Sequence, residues 1–292
     1  MNVIHRTWNR FWGLITEKRD MSALDAAILE AFVRRLPPSL GDIAQDQISA
    51  ITRVAHKPAD QWIGLVLGRR SARSELPMFP NRYPSSTAAF VFGASGGNDY
   101  RANIVVNCGL LDSIALSEPP GDLPTDVSAE NFEVVLVNDL DTPGENPEAI
   151  PIDQLESAQA RSFSESHHAT EFFPPKSQEI VDAYQRFLGS PLPADFLQLV
   201  EHVDGFKTEH WDFLGVSGRI MVWPTRECIK SIAEDDECLF GICFVADDRE
   251  GRYYLLSEVD ADLQPLETDL RGALVELESH LKDYHADIAG EE

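Results

Sequence analysis

The spacing of apolar residues changes once along the first half of the chain, and this change constrains the fold more than any other feature. Leu24, Ile28, Phe32 and Leu36 recur every four residues, which is the repeat of one face of an α-helix. After Pro58 the apolar stretches become short, β-branched or aromatic, and turn residues bound them, which is typical of strands. The sequence therefore predicts two helices followed by a mostly antiparallel sheet.

Each predicted helix has its own start or stop signal. Ser22 lies three residues before Asp25, the spacing of a capping box, and the first helix is predicted to end at Pro37. The second helix is predicted to carry four apolar residues on one side and to stop at Pro58. Those four residues are Ala44, Ile48, Ile51 and Ala55.

Strands predicted after Pro58 complete a first domain over residues 21–138. They cover Trp62–Leu67, Thr87–Phe92, Asn103–Asn107, Leu111–Leu116 and Phe132–Val137. Residues 1–20 are predicted to be an N-terminal extension, since Met21 could serve as a second start. The polar, turn-rich residues 139–170 are predicted to form an acidic linker, with a short helix near Ile152–Ala160.

The remaining residues, 171–292, predict a second α+β domain. One helix is predicted over Gln178–Leu188 with Gly189 as its C-cap, and another begins at Pro193 and ends at Asp204-Gly205. A closing amphipathic helix is predicted after Thr268. The predicted strands of this domain are Arg219–Trp223, Gly241–Val245 and Arg252–Leu256.

Acidic residues outnumber basic ones, 49 against 24, which gives a formal net charge of −25. Nucleic-acid phosphates and anionic membranes are bound through Lys and Arg, so this charge argues against both as partners. The imbalance is concentrated in residues 171–292, which hold 27 acidic and 10 basic residues. This surplus fits either general solubility or a face that attracts a basic partner.

The sequence shows neither a targeting segment nor a cysteine framework. No apolar stretch approaches the roughly 18 residues of a membrane span, and residues 1–20 lack the apolar stretch of a secretory signal. Cys108, Cys228, Cys238 and Cys243 form no C-x-x-C pair and have no histidine at zinc-ligand spacing. We therefore expect a cytoplasmic protein with free thiols and without a bound metal or cofactor.

Several short motifs follow one another in the second domain. The helix Gln178–Leu188 leads into the Leu-Pro-x-Asp-aromatic element Leu192–Phe196, and Asp204-Gly205 comes next. Cys243–Leu256 then combines an apolar strand, an acidic turn with glycine and an aromatic strand, before the closing helix. In this order, over residues 178–284, the motifs resemble the SUKH superfamily, which includes yeast Smi/Knr-type regulators and bacterial immunity proteins. Residues 21–138 resemble no family that we can name.

The resemblance implies a SUKH-like α+β fold and a non-catalytic role in binding another protein. Bacterial SUKH-like domains are widely linked to the neutralisation of toxins, often basic nucleases, so the implied function is an immunity-type inhibitor. The predicted contact region joins one aromatic residue to acidic positions in loops, a combination that suits an interface. Its residues are Asp204, Trp211, Asp212, Glu234, Asp235, Asp236, Glu237, Asp247, Asp248 and Glu250.

Two alternative functions remain open from the sequence. The first is a two-domain scaffold or adaptor in a regulatory complex. The second is a serine hydrolase, because Gly93-Ala94-Ser95-Gly96-Gly97 matches the G-x-S-x-G nucleophile pattern. That pattern needs a strand before the serine and a helix after it, whereas residues 98–106 read as another strand, so a hairpin is the preferred interpretation.

Overall fold

A computed structural model describes two compact units, Met1–Pro147 and Glu148–Glu292. The predicted α+β class is confirmed: helices lie beside antiparallel sheets. The described residues are 17–19, 21–56, 62–67, 76–83, 86–95, 97–117, 126–144, 150–154, 158, 161–162, 171–189, 191–192, 194–207, 212–214, 241–247, 250–256, 263–266, 272, 275 and 279.

The first unit contains seven strands and two helices in its described part. Strand β1 comes first, then the two helices, then the remaining strands. The elements are β1 (Glu17–Arg19), α1 (Ala23–Arg35), α2 (Pro38–Ser49), β2 (Ile51–His56), β3 (Trp62–Leu67), β4 (Ser86–Ser95), β5 (Asn98–Asn107), β6 (Leu110–Leu116) and β7 (Phe132–Leu136).

These strands form one sheet in the order β1-β2-β3-β6-β5-β4-β7, and every neighbouring pair is antiparallel. Alternate residues of a strand point to opposite faces, so each strand gives one set of side chains to the core under the helices. In β5 that set is Ala102, Ile104 and Val106, which are buried with Ile28 and Phe32 of α1. This burial positions the helices on one face of the sheet.

Helix α1 begins as predicted. Ser22 accepts a hydrogen bond from the backbone N–H of Asp25 at 3.1 Å, and the Asp25 carboxylate accepts one from the N–H of Ser22 at 3.0 Å. This capping box confirms the interpretation of the Ser22–Asp25 spacing, because the two residues satisfy each other's backbone donors.

The prediction of the second helix is wrong after Ser49. Helix α2 ends at Ser49, and Ile51–His56 forms strand β2 between β1 and β3. Apolar spacing at Ile48, Ile51 and Ala55 fits a helix, but the structure places Ile51 and Ala55 in strand β2, where Val54 lies in the core. Pairing with β3 along Ile63–Leu67 outweighs the local repeat, since strand pairing depends on residues distant in sequence.

A buried glutamine ties α2 to the hairpin between β5 and β6. Gln47 is fully buried, and its Nε2 donates to the carbonyls of Pro77 at 2.9 Å and Gly109 at 3.0 Å. Its Oε1 accepts from the N–H of Leu111 at 2.7 Å. One side chain therefore satisfies three backbone groups that have little access to water.

The hairpin turn itself uses two residues with positive φ. Cys108 has φ 52° and Gly109 has φ 79°, which is the pattern of a type I′ turn that joins two strands tightly. The carbonyl of Gly109 also accepts from the N–H of Phe79 at 3.0 Å. The turn is thus held against the segment of residues 76–83 as well as against α2.

Residues 139–144 belong to the first unit, although they were predicted to open the linker. Asn81 donates from its backbone N–H to Leu140 O at 3.2 Å and from Nδ2 to Asp139 O at 2.9 Å. Leu140 is 2% exposed and lies in the core. The turn-rich composition was misleading because an asparagine distant in sequence binds this backbone.

In its described part the second unit contains two sheets and two α-helices with defined bounds, and residues 158, 161, 162, 272, 275 and 279 are also helical. The sheet orders are β11-β10-β9-β8 and β12-β13-β14, with antiparallel pairing throughout. The elements are β8 (Ile150–Pro151), β9 (Glu171–Phe173), α3 (Gln178–Leu188), α4 (Ala194–Val200), β10 (Gly205–Lys207), β11 (Asp212–Leu214), β12 (Gly241–Asp247), β13 (Glu250–Leu256) and β14 (Leu263–Leu266).

Helix α3 matches its prediction at both ends. It covers Gln178–Leu188, and Gly189 follows with φ 74°, the left-handed conformation of a glycine C-cap. Tyr184 and Phe187 are buried on its inner side, and the Tyr184 ring lies 6.4 Å from that of Phe196 in α4. The predicted strand Arg219–Trp223 lies outside the described residues.

Candidate functional site

Two of the predicted contact residues, Asp247 and Glu250, lie in the hairpin of β12 and β13. The two strands pair from Gly241 opposite Leu256 to Asp247 opposite Glu250. Two residues, Asp248 and Arg249, separate the paired positions Asp247 and Glu250 in the sequence. We call Asp247, Asp248 and Glu250 the acidic tip.

The register places two acidic residues directly opposite each other. Asp247 is the partner of Glu250 at the closed end of the hairpin. Like charges at directly opposite positions destabilise a strand pair by a few tenths of a kcal/mol up to about 1 kcal/mol.

A second acidic position of the predicted contact region opens strand β11. Asp212 lies opposite Lys207 of β10, and the same hairpin pairs Phe206 with Phe213. Opposite charges at directly opposite positions favour strand pairing. Asp212 thus has a structural explanation that the acidic tip lacks.

Asp204 must be removed from the contact region. Its side chain is 0% exposed, and its backbone N–H donates to Phe173 O at 2.9 Å, beside the pairing of β9 with β10. The sequence placed it at the surface because Asp-Gly usually marks an exposed turn. In the structure the polypeptide continues from Asp204 directly into the sheet, so a partner has no access to this carboxylate.

Six of the predicted contact residues lie outside the described residues: Trp211, Glu234, Asp235, Asp236, Glu237 and Asp248. Of Asp212, Asp247 and Glu250 the structure describes the strand position and the register.

The candidate hydrolase motif lies in a hairpin. Strand β4 runs to Ser95, the connection is Gly96-Gly97, and β5 begins at Asn98 opposite Ser95. A nucleophile elbow needs a helix after the serine, so the hairpin interpretation is confirmed for this segment.

Gly93, the first glycine of the motif, has a packing explanation. It lies opposite Phe132, and a Cβ atom built on it would overlap the Phe132 ring and lie 2.7 Å from Asn131 O. Glycine is required here because the ring of the neighbouring strand covers the backbone.

No metal-binding group was found in the described part of the chain. There, no three His, Cys, Asp or Glu side chains are placed to share an ion. His202 is half-buried after α4, whereas His167 and His168 lie outside the described residues. Among the helices that are described, none has the length and apolarity to cross a bilayer.

Arg82 is the one described residue among the neighbouring arginines Arg69, Arg70, Arg73 and Arg82. Its guanidinium donates to the carbonyl of Cys108 at 3.4 Å, next to the β5–β6 turn. Cys108 is an exposed free cysteine. Arg82 thus contacts its own chain.

Comparison with known proteins gives no relative: no protein-family model, no curated protein and no solved structure matches the chain. The SUKH assignment therefore stays a prediction from the order of motifs.

The sequence did not reveal that Asp247 and Glu250 are cross-strand partners. Strand β12 is apolar from Gly241 to Ala246 and has no polar alternation that would mark its end, so only the register shows this pairing. The polar stretch of residues 246–251 concealed it, because a run of acids reads as a longer loop.

Proposed function

We propose that the protein binds a basic protein partner through the acidic tip of the second unit and inhibits that partner without catalysing a reaction. The observation that carries this proposal is the pairing of Asp247 with Glu250 across a two-residue turn. Like charges at directly opposite positions do not favour strand pairing, whereas a cationic partner is attracted to two acidic positions held opposite each other.

The charge of the surrounding sequence supports a basic partner. Residues 171–292 carry 27 acidic and 10 basic residues. A field of one sign accelerates association with a partner of opposite charge and lowers the affinity for partners of like charge. A nuclease-type toxin is basic because it must bind phosphates, so it fits the charge that this region selects.

The family resemblance supports the immunity-type role in particular. The described elements α3, Gly189, α4, Asp204-Gly205 and the β12–β13 hairpin follow one another in the order of the SUKH motifs. On this proposal the second unit has a SUKH-like fold and the protein acts in the cytoplasm, where a delivered toxin would be active.

The test reverses the charge of the acidic tip. The full chain with Asp247→Lys, Asp248→Lys and Glu250→Lys is immobilised and compared with the wild type in affinity capture from the native cell. We expect the wild type to retain a basic protein and the variant to lose it, because three attractive charges become repulsive. Identification of the retained protein by mass spectrometry then gives the partner.

A matched control separates the site from the net charge. Asp153, Asp182 and Glu201 are exposed residues of the same unit, and their replacement by Lys changes the charge by the same amount. This control variant should retain the partner. Equal loss with both variants would mean that charge alone decides, and equal retention would exclude the acidic tip as the contact.

A further inference from the structure

The sheet of the first unit buries apolar side chains on both of its faces. Val91 of β4 lies in the core under α1 and α2. Because successive residues of a strand point to opposite faces, Phe90 and Phe92 point to the other side. They are 1% and 2% exposed, so this side is covered as well. We call the side of the sheet opposite α1 and α2 the far face.

The register extends the buried patch of the far face to the strands beside β4. Phe90 lies opposite Val135 of β7 and Asn103 of β5, and Asn103 lies opposite Ala115 of β6. Val135 and Ala115 are buried too. None of these residues belongs to the core under the helices, so α1 and α2 are not what covers the patch.

Toward β1 the far face carries small residues. Ala55 of β2 lies opposite Gly64 of β3, and Gly64 lies opposite Ser113 of β6. Ser113 is fully buried, and its hydroxyl has no hydrogen-bond partner among the described residues. This row of small side chains leaves room for large side chains that pack on it.

Large apolar side chains for this face occur near the start of the chain. The first unit extends back to Met1, and residues 1–16 lie outside the described residues. These residues include Trp8, Phe11 and Trp12. The other undescribed stretches of five or more residues in this unit, 57–61, 68–75 and 118–125, contain no aromatic residue. Of these stretches, residues 1–16 therefore have the composition that a cover of the far face needs.

The apolar residues of this stretch recur at the spacing of one helix face. Five of them, separated by four, three, one and three residues, share that face: Ile4, Trp8, Phe11, Trp12 and Ile15. Arg6, Asn9 and Arg10 fall on the opposite side of the same helix. An amphipathic helix of this kind needs a surface that removes its apolar side from water.

The length of the stretch matches the width of the sheet that it would cover. Glu17 begins β1 at the edge of the sheet, and five strand spacings, about 24 Å, separate β1 from β4. A helix over residues 1–16 also spans about 24 Å. We propose that residues 1–16 form an amphipathic helix that lies across the far face, with its aromatic side chains over the small residues of β2, β3 and β6 and with Ile4 toward Phe90 of β4.

Photo-crosslinking of the full chain tests this placement. The photoreactive residue p-benzoylphenylalanine replaces Trp8, and mass spectrometry of the digested chain identifies the residues that it captures after irradiation. We expect capture of residues in β3, β6 or β5. Capture confined to α1 and α2, to the second unit or to another copy of the chain would overturn the proposal, and so would irradiation without any crosslink.

A dye that binds exposed apolar surface, 8-anilinonaphthalene-1-sulfonate, gives an independent readout. Trp8→Ser with Trp12→Ser removes the aromatic cover and should raise the fluorescence of the dye several-fold. Asn2→Ser with Asn9→Ser is the matched control on the polar side of the helix and should leave the fluorescence unchanged. Equal fluorescence of the two variants would contradict the proposal. The crosslinking experiment, which keeps an aromatic residue at position 8, decides the matter if the tryptophan variant unfolds.

A lipid surface also binds amphipathic helices that carry tryptophan. The net charge of −25 opposes the approach of the chain to an anionic bilayer, which favours the sheet as the occupied surface. We expect the full chain to stay in the supernatant when vesicles of phosphatidylcholine and phosphatidylglycerol are sedimented. Sedimentation of the wild type but not of the tryptophan variant would assign the helix to a membrane and overturn the proposal. None of these readouts involves the acidic tip, so they are independent of the proposed function.

Discussion

Two hairpins, one in each unit, differ in whether the polar groups at their turns stabilise the fold. The β5–β6 turn at Cys108-Gly109 is held by hydrogen bonds from Gln47 and Phe79, and all of these bonds stabilise the fold. The β12–β13 hairpin ends instead with Asp247 opposite Glu250, and like charges at directly opposite positions disfavour strand pairing. The hydrogen bonds at the first turn are accounted for by the stability of the fold. The acidic pair at the second hairpin is not, and for this reason we place the candidate site there.

The largest effect on stability is expected at the first hairpin. Gln47→Leu leaves the buried N–H of Leu111 without its acceptor and the carbonyl of Pro77 without this donor, while Gly109 O keeps its hydrogen bond from the N–H of Phe79. Buried backbone groups left unsatisfied should lower the free energy of unfolding by about 2–4 kcal/mol. Urea denaturation followed by circular dichroism measures this loss.

Gln45→Leu is the matched control for that change. Gln45 is exposed on the same helix, so its replacement should alter the free energy of unfolding by less than about 0.5 kcal/mol. Equal effects of the two variants would show that Gln47 does not hold the hairpin.

Two glycine substitutions should change the free energy of unfolding in opposite directions. Gly93→Ala brings a methyl group onto the Phe132 ring and should lower stability by about 1–3 kcal/mol. Gly41→Ala, in α2, meets Val33 O at an ordinary 3.5 Å and should raise stability by up to about 1 kcal/mol. Thermal denaturation of both variants compares them, and a harmless Gly93→Ala would contradict the packing of Phe132 over β4.

The capping box of α1 should contribute a smaller amount. Ser22→Ala removes the acceptor for the Asp25 N–H and should cost about 1 kcal/mol. Ser39→Ala, at an exposed position in the first turn of α2, should cost less. The same urea experiment measures both, and an equal cost would argue against the cap.

The smallest change in the free energy of unfolding is expected at the acidic tip, where substitutions should stabilise the fold. Asp247→Lys or Glu250→Lys replaces repulsion across the hairpin by attraction and should raise stability by roughly 0.2–1 kcal/mol. The double variant again places like charges opposite each other, so its gain should vanish. A double-mutant cycle gives this coupling, and additive gains would show that the two positions do not interact.

Features predicted correctly from the sequence depend on residues close together in the chain. The Ser22–Asp25 box and the C-cap at Gly189 are signals within four residues, and both were found where predicted. The hairpin at Ser95 followed from the strand pattern on either side of two glycines. Local chemistry decides these features, so the sequence is sufficient for them.

The wrong predictions all concern contacts with distant residues. Strand β2 was predicted as helix because Ile51 and Ala55 also fit a helical repeat, and its pairing with β3 was not visible locally. Residues 139–144 look like a linker until Asn81 binds them. Asp204 was predicted to be exposed, but it is fully buried beside the pairing of β9 with β10. The acidic tip was predicted as a patch of acids, but the opposition of Asp247 and Glu250 required the register.

The association rate of the captured partner, measured against ionic strength, tests the role of the acidic tip most directly. For the wild type the rate should be high at low salt and fall steeply as salt screens the attraction. The variant with Asp247→Lys, Asp248→Lys and Glu250→Lys should associate slowly with little salt dependence, while the control at Asp153, Asp182 and Glu201 should keep most of the wild-type rate. Identical rates and salt dependence for the wild type and the acidic-tip variant would contradict the account.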